Sequence, residues 1–126
     1  MVNIPAPTPR HQLINGRWQI PMEELRAEKK AELAEARWRD EVAPFEYKGH
    51  RFDTSERSQI KYLSVKEATA WKTYDGWLQM ELADFASLVE NYEAHVKALF
   101  AKEQTLCAAV DAATTPEELE GIAWDK

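Results

Sequence analysis

WKTYDGWLQMELADFASLVENYEAHVKALFAKEQTLCAAVDA, residues 71–112, carries the reading of the fold. Its first ten residues alternate around Asp75-Gly76. An Asp-Gly pair between strand-forming residues is a strong hairpin signal, because a type I′ turn needs positive φ at both central positions. A two-residue turn there predicts Tyr74 opposite Trp77, Thr73 opposite Leu78, Lys72 opposite Gln79 and Trp71 opposite Met80. One face then carries Trp71, Thr73, Leu78, Met80 and Leu82. The other carries Lys72, Gln79 and Glu81, with Tyr74 and Trp77 at the tip, the alternation of a half-buried hairpin. From Asp84 to Ala112 the period changes. Phe85, Val89, Tyr92, Val96, Leu99, Glu103, Leu106 and Val110 recur at alternating steps of four and three, a heptad seam with one charged member. Leu88, Phe100 and Cys107 widen the stripe. At 1.5 Å per residue such a helix would be about 43 Å long. It must be the spine for everything else or reach toward a partner. Glu103 is expected to pair with a cation such as Arg37 or Arg39 or to face water, since a buried lone carboxylate is too costly.

Upstream, two more Xaa-Gly turns divide strand-like residues. Asn15-Gly16 separates Gln12–Ile14 from Arg17–Ile20, and Lys48-Gly49 separates Phe45–Tyr47 from His50–Phe52. The second predicts Phe45 opposite Phe52 and Glu46 opposite Arg51. Pro21 to Val42 is rich in strong helix formers, with Leu25, Leu33 and Ala36 on one side, then Ala27, Ala31, Ala34, Trp38 and Val42. Glu35 and Arg39 have i,i+4 spacing. A short helix is expected from Asp53, with Asp53-Thr54-Ser55-Glu56 as its capping box and Ile60 and Leu63 as its apolar face. Thr115-Pro116-Glu117-Glu118 opens a last short helix, and Gly121 suits its end. Pro5, Pro7 and Pro9 make Met1–Arg10 an expected extended arm. The fold class is therefore α+β: a long C-terminal helix packed with an N-terminal helix, plus small antiparallel hairpins. Residues 1–20 read as an arm with a short hairpin and 21–126 as a single domain.

Composition narrows the function classes. The chain of 126 residues carries 22 acidic and 16 basic side chains, a formal net charge of −6, which disfavours a nucleic-acid-backbone binder. Four glycines cannot form a phosphate-cradling loop, and one cysteine excludes a disulfide framework. No apolar run approaches the roughly 18 residues of a membrane span. His50 and Asp53 do not make a metal site without further ligands. His95 reads as a helix-surface side chain and Cys107 as a core thiol. No catalytic, cofactor or metal set is expected, and neither nucleic acid nor membrane is expected as a partner.

The chain also contains Phe45-x-Tyr47-x-Gly49-His50-x-Phe52-Asp53, then Ser58-x-Ile60, Trp71-x-x-x-Asp75-Gly76, Leu82-x-x-Phe85-x-x-Leu88 and His95-Val96-x-Ala98-Leu99. This block resembles a domain of unknown function carried by tail-fibre and tail-associated proteins of tailed bacteriophages and prophages, over about Leu25 to Trp124. The prefix Leu13–Trp18 weakly resembles the Trp-containing hairpin of tail-fibre assembly chaperones. The resemblance implies a context and no reaction: a non-enzymatic phage tail protein, a structural accessory or assembly chaperone of the tail fibre or baseplate. It would work in the host bacterial cytoplasm during assembly or in the virion tail, with a fibre or baseplate protein as partner. A homo-oligomer bound to a fibre would be a trimer by analogy. The alternative is a small phage-encoded inhibitor of a host defence or regulatory protein. Tyr74, Trp77 and Trp18 are the candidate partner contacts, because Trp and Tyr are favoured interface anchors.

Overall fold

Where two adjacent residues take left-handed backbone conformations, the chain reverses within two residues. Asn15 and Gly16 have φ of 51° and 79°, and Lys48 and Gly49 have 51° and 76°. Both pairs form the mirror-image turn that matches strand twist. The structure, a computed structural model, describes residues 6–125. The remainder of the arm expected over Met1–Arg10, residues 1–5, lies outside the described residues. Pro7 to Arg10 bend and turn instead of running extended, with the Thr8 carbonyl accepting from the His11 N–H at 3.1 Å.

The elements run β1 (Gln12–Ile14), β2 (Arg17–Gln19), α1 (Met22–Val42), β3 (Phe45–Tyr47), β4 (His50–Phe52), α2 (Glu56–Ser64), β5 (Thr69–Thr73), β6 (Gly76–Met80), α3 (Leu82–Ala112) and α4 (Pro116–Glu120). The strands form three separate antiparallel pairs, β1–β2, β3–β4 and β5–β6. This is the expected α+β class. Phe45 stands opposite Phe52 and Glu46 opposite Arg51, as the Lys48-Gly49 turn predicts.

The β5–β6 register differs from the expectation. Trp71 pairs with Leu78, Lys72 with Trp77 and Thr73 with Gly76. The turn is centred on Tyr74-Asp75, and only Gly76, at φ 106°, is left-handed. The shift is two residues, and because side chains alternate with period two, every residue of the hairpin keeps its face. Thr73 and Met80 are buried, Trp71 and Leu78 half-buried, and Lys72, Trp77 and Gln79 exposed. Leu82 does not join the buried face. It starts α3 and is 48% exposed.

By its internal contacts the chain divides into two compact units, residues 1–35 with 103–126, and residues 36–102. The boundaries fall within α1 and α3. In the first unit Leu33, Val110, Ala113, Leu119 and Trp124 are buried. There Arg26 donates to the Ala113 carbonyl at 2.8 Å and Lys30 pairs with Asp111 at 2.6 Å, joining α1 to the end of α3. Arg10 reaches Glu24 at 2.7 Å and also pairs with Glu28, tying the arm to α1. Thr115 caps α4 with Pro116 behind it. Glu118 reaches back to the Thr114 N–H at 2.9 Å, one residue further than a reciprocal box would.

The second unit has an aromatic core: Phe52, Tyr62, Met80, Phe85 and Leu88, with Phe45, Tyr47, Val65, Trp71, Leu78 and Val89 packed around it. Within it Tyr92 of α3 donates to the Glu41 carbonyl of α1 at 2.8 Å, and the Arg37 guanidinium lies 4.2 Å from the Phe100 ring centroid. All eight seam positions of α3 are buried or half-buried, Glu103 among the half-buried ones. Phe100, expected to widen that stripe, is 48% exposed beneath Arg37. His95 is no surface side chain: its ring lies 5.2 Å from Phe45 and 6.3 Å from Tyr92. Cys107 is half-buried, and burial raises its thiol pKa.

Helix α2 departs most from expectation. Its cap is Ser55, whose Oγ accepts from the Ser58 N–H at 3.2 Å, two residues beyond the expected Asp53. Tyr62 is the side chain it buries, while Ile60 and Leu63 are 59% and 70% exposed. The Tyr62 hydroxyl explains the orientation. It donates to the Asp53 carbonyl at 2.7 Å, so a large ring can be buried with its polar end satisfied.

Candidate partner-contact site

The β5–β6 turn is held in place by β4. The Tyr74 N–H donates to the Arg51 carbonyl at 3.0 Å. Arg51 answers through its backbone N–H, 2.7 Å from Asp75 Oδ2, and through its guanidinium, with Nε 3.1 Å from Oδ2 and Nη2 2.8 Å from Oδ1. A forked guanidinium–carboxylate contact fixes direction as well as distance. It also holds the Asp75 carboxyl well below its usual range, at a pKa of about 2. Thr73 tightens the turn from inside. Its hydroxyl donates to the Gly76 carbonyl at 2.7 Å and accepts from the Asp75 N–H at 3.1 Å. Its oxygen also lies 2.9 Å from His50 Nδ1, a side-chain contact between the two hairpins.

Asp53 forms the second brace. Its Oδ2 accepts from the hydroxyls of Ser55 at 2.6 Å and Ser58 at 2.5 Å, and its Oδ1 accepts from the Tyr74 hydroxyl at 3.2 Å. The serine hydroxyls, stabilising its charged form, lower its pKa. The same contact raises the pKa of Tyr74, since the phenol proton is shared with a carboxylate. A shallow hollow of about 250 Å³ beside the turn is lined by Asp53, Lys72, Thr73 and Tyr74.

Tyr74 and Trp77 therefore stand on one braced hairpin, 58% and 69% exposed. Trp18, the third candidate contact, lies in β2 opposite Leu13, in the other compact unit, and is half-buried. The bracing residues Arg51, Asp53 and Asp75 were invisible as a set in the sequence. The available signal was an Arg on the outward face of one hairpin and an Asp in the turn of the next. Among the described residues no group of three or more His, Cys, Asp or Glu side chains could hold a metal ion. No helix among them is long and apolar enough to cross a membrane.

Fold and site together define an α+β protein that presents a rigid aromatic turn. Residues 24–123 match the family described as Domain of unknown function (DUF4376), and the chain belongs to that family. No curated protein and no solved structure matches the chain.

Proposed function

We propose that this chain is a non-enzymatic bacteriophage tail protein, a structural accessory or assembly chaperone of the tail fibre or baseplate, that acts by docking onto another polypeptide. The observation that carries the docking reading is the exposed pair Tyr74 and Trp77 on a turn fastened by Arg51–Asp75 and Asp53–Tyr74. Large aromatic side chains are favoured interface anchors. A turn already held in one conformation loses less freedom on binding than a loose one. The phage-tail context is supported by the resemblance of the Phe45–Ile60 and Trp71–Leu99 blocks to tail-associated domains.

The test is copurification of the tagged protein from phage-infected cells. A fibre or baseplate polypeptide should accompany it, and Trp77→Ser should reduce that recovery while leaving the circular dichroism spectrum unchanged. Normal fibre attachment and infectivity after deletion of the gene would overturn the reading.

A further inference from the structure

The second unit carries a surface apart from the aromatic turn. Tyr62, Leu63 and Val65 on one side, and Leu82, Phe85, Ala86 and Val89 on the other, line an open groove of about 390 Å³ between α2 and the first turns of α3. Its floor is core, with Phe85 and Tyr62 buried, but its rims are bare leucine: Leu63 is 70% and Leu82 48% exposed. Solitary exposed leucines need no explanation, whereas leucines on both rims of one groove make a larger apolar surface than either alone.

The end of the groove away from Leu82 is acidic. Glu90 and Glu93 are the charged members of its lining, both are exposed, and among the described residues neither has an ion-pair partner. Lys61 and Lys66 lie nearby in sequence but outside the lining. Leu82, Ala86, Val89 and Glu93 follow one another along one face of α3. Eleven residues separate the first from the last, about 16 Å, or three helical turns.

We propose that this groove receives an amphipathic helix of another polypeptide, with apolar anchors one turn apart between the Leu63 and Leu82 rims and a Lys or Arg set against Glu90 and Glu93. An apolar helical face in a hydrophobic groove is a general recognition mode, and the charges fix which way the helix lies. The proposal uses no residue of the Tyr74–Trp77 tip and stands independently of the phage-tail reading.

Two synthetic peptides of about 14 residues, ~21 Å as helices, test it. They share one Leu-rich face, and one bears Lys and the other Glu on the polar face. Binding is read by fluorescence anisotropy with the full chain. The Lys peptide should bind at least about tenfold more tightly than the Glu peptide, with an affinity that falls as salt rises. Leu63→Ser, a change at an exposed position, should weaken binding about tenfold. The double variant Glu90→Lys, Glu93→Lys should reverse the preference between the peptides. Trp77→Ser should leave binding unchanged, which separates failure here from failure of the aromatic tip. Equal binding of both peptides, no binding of the Lys peptide, or indifference to Leu63→Ser would overturn the proposal. So would a dimer in sedimentation that Leu63→Ser dissolves, because the occupant would then be a second copy of the chain.

Discussion

The hairpins β3–β4 and β5–β6 are built to one plan and end differently. Each has an Xaa-Gly pair near its turn and each sends one side chain wholly into the same core, Phe52 from the first and Met80 from the second. The Lys48-Gly49 turn, the weaker signal, forms with both residues left-handed. The Asp75-Gly76 turn, the stronger signal, moves back by one residue. The difference lies in what surrounds each turn. At Lys48 the Nζ reaches outward to Asp84, 2.6 Å away, and the backbone of the turn is left to local preference. At Asp75 the carboxylate, the preceding N–H and the Thr73 hydroxyl all have fixed partners, and these partners select Tyr74-Asp75 as the central pair. Local propensity decides a turn until tertiary hydrogen bonds outnumber it.

The largest effect should come from where the hairpins are alike. Phe52→Ala should cost about 3–5 kcal/mol and Met80→Ala about 2–5 kcal/mol, both measured by urea unfolding. If one of them cost much less, the two hairpins would not be equal contributors to the core.

Thr73→Val tests what sets the second turn. The side chain keeps its shape but leaves the Asp75 N–H without its acceptor and removes the hydroxyl beside His50 Nδ1, at a cost of about 1–3 kcal/mol. The same change should free the turn toward Asp75-Gly76. Cross-strand nuclear Overhauser contacts between Tyr74 and Trp77 would report the new register, with every side chain keeping its face.

Gly49→Ala places a side chain at φ 76° and should cost about 1–2 kcal/mol. Lys48→Asn, by contrast, puts a residue more tolerant of φ 51° in the same turn but gives up the Lys48–Asp84 ion pair, so it should change stability by less than about 1 kcal/mol. Thermal unfolding of both variants checks the pair. Equal effects would show that the turn is not governed by backbone preference.

The smallest expected effect is the share of the acid dependence that belongs to the second hairpin. Asp75 has its folded pKa depressed to about 2, so its contribution is present above the unfolded value of 3.8 and is lost as pH falls through about 2. Asp75→Asn should flatten that part of the stability profile.

Much of the fold was legible in the sequence, and the exceptions share a cause. The long helix with its seam, the β1–β2 turn and the β3–β4 register followed from periodicity and turn chemistry alone. The β5–β6 faces followed too, because a two-residue slip does not change sidedness. The register itself did not, since Arg51 is 24 residues from Asp75 and no local rule links them. Helix α2 misled for a similar reason. Ile60 and Leu63 look like its apolar face, yet the Tyr62 hydroxyl finds the Asp53 carbonyl and turns the helix the other way. The exposed aromatics of the candidate site could be nominated as a tip, but the polar braces that hold them belong to long-range contacts.

Asp53 has one further consequence. Its carboxylate receives hydroxyl protons from both the cap of α2 and the ring at the β5–β6 turn. Losing either segment removes part of the hydrogen bonding that holds this one carboxylate. The two should therefore open as one cooperative unit, with the amides of α2 and those around Tyr74 exchanging with solvent at a common rate. A polypeptide gripping the aromatic turn would then slow exchange in a helix it never touches.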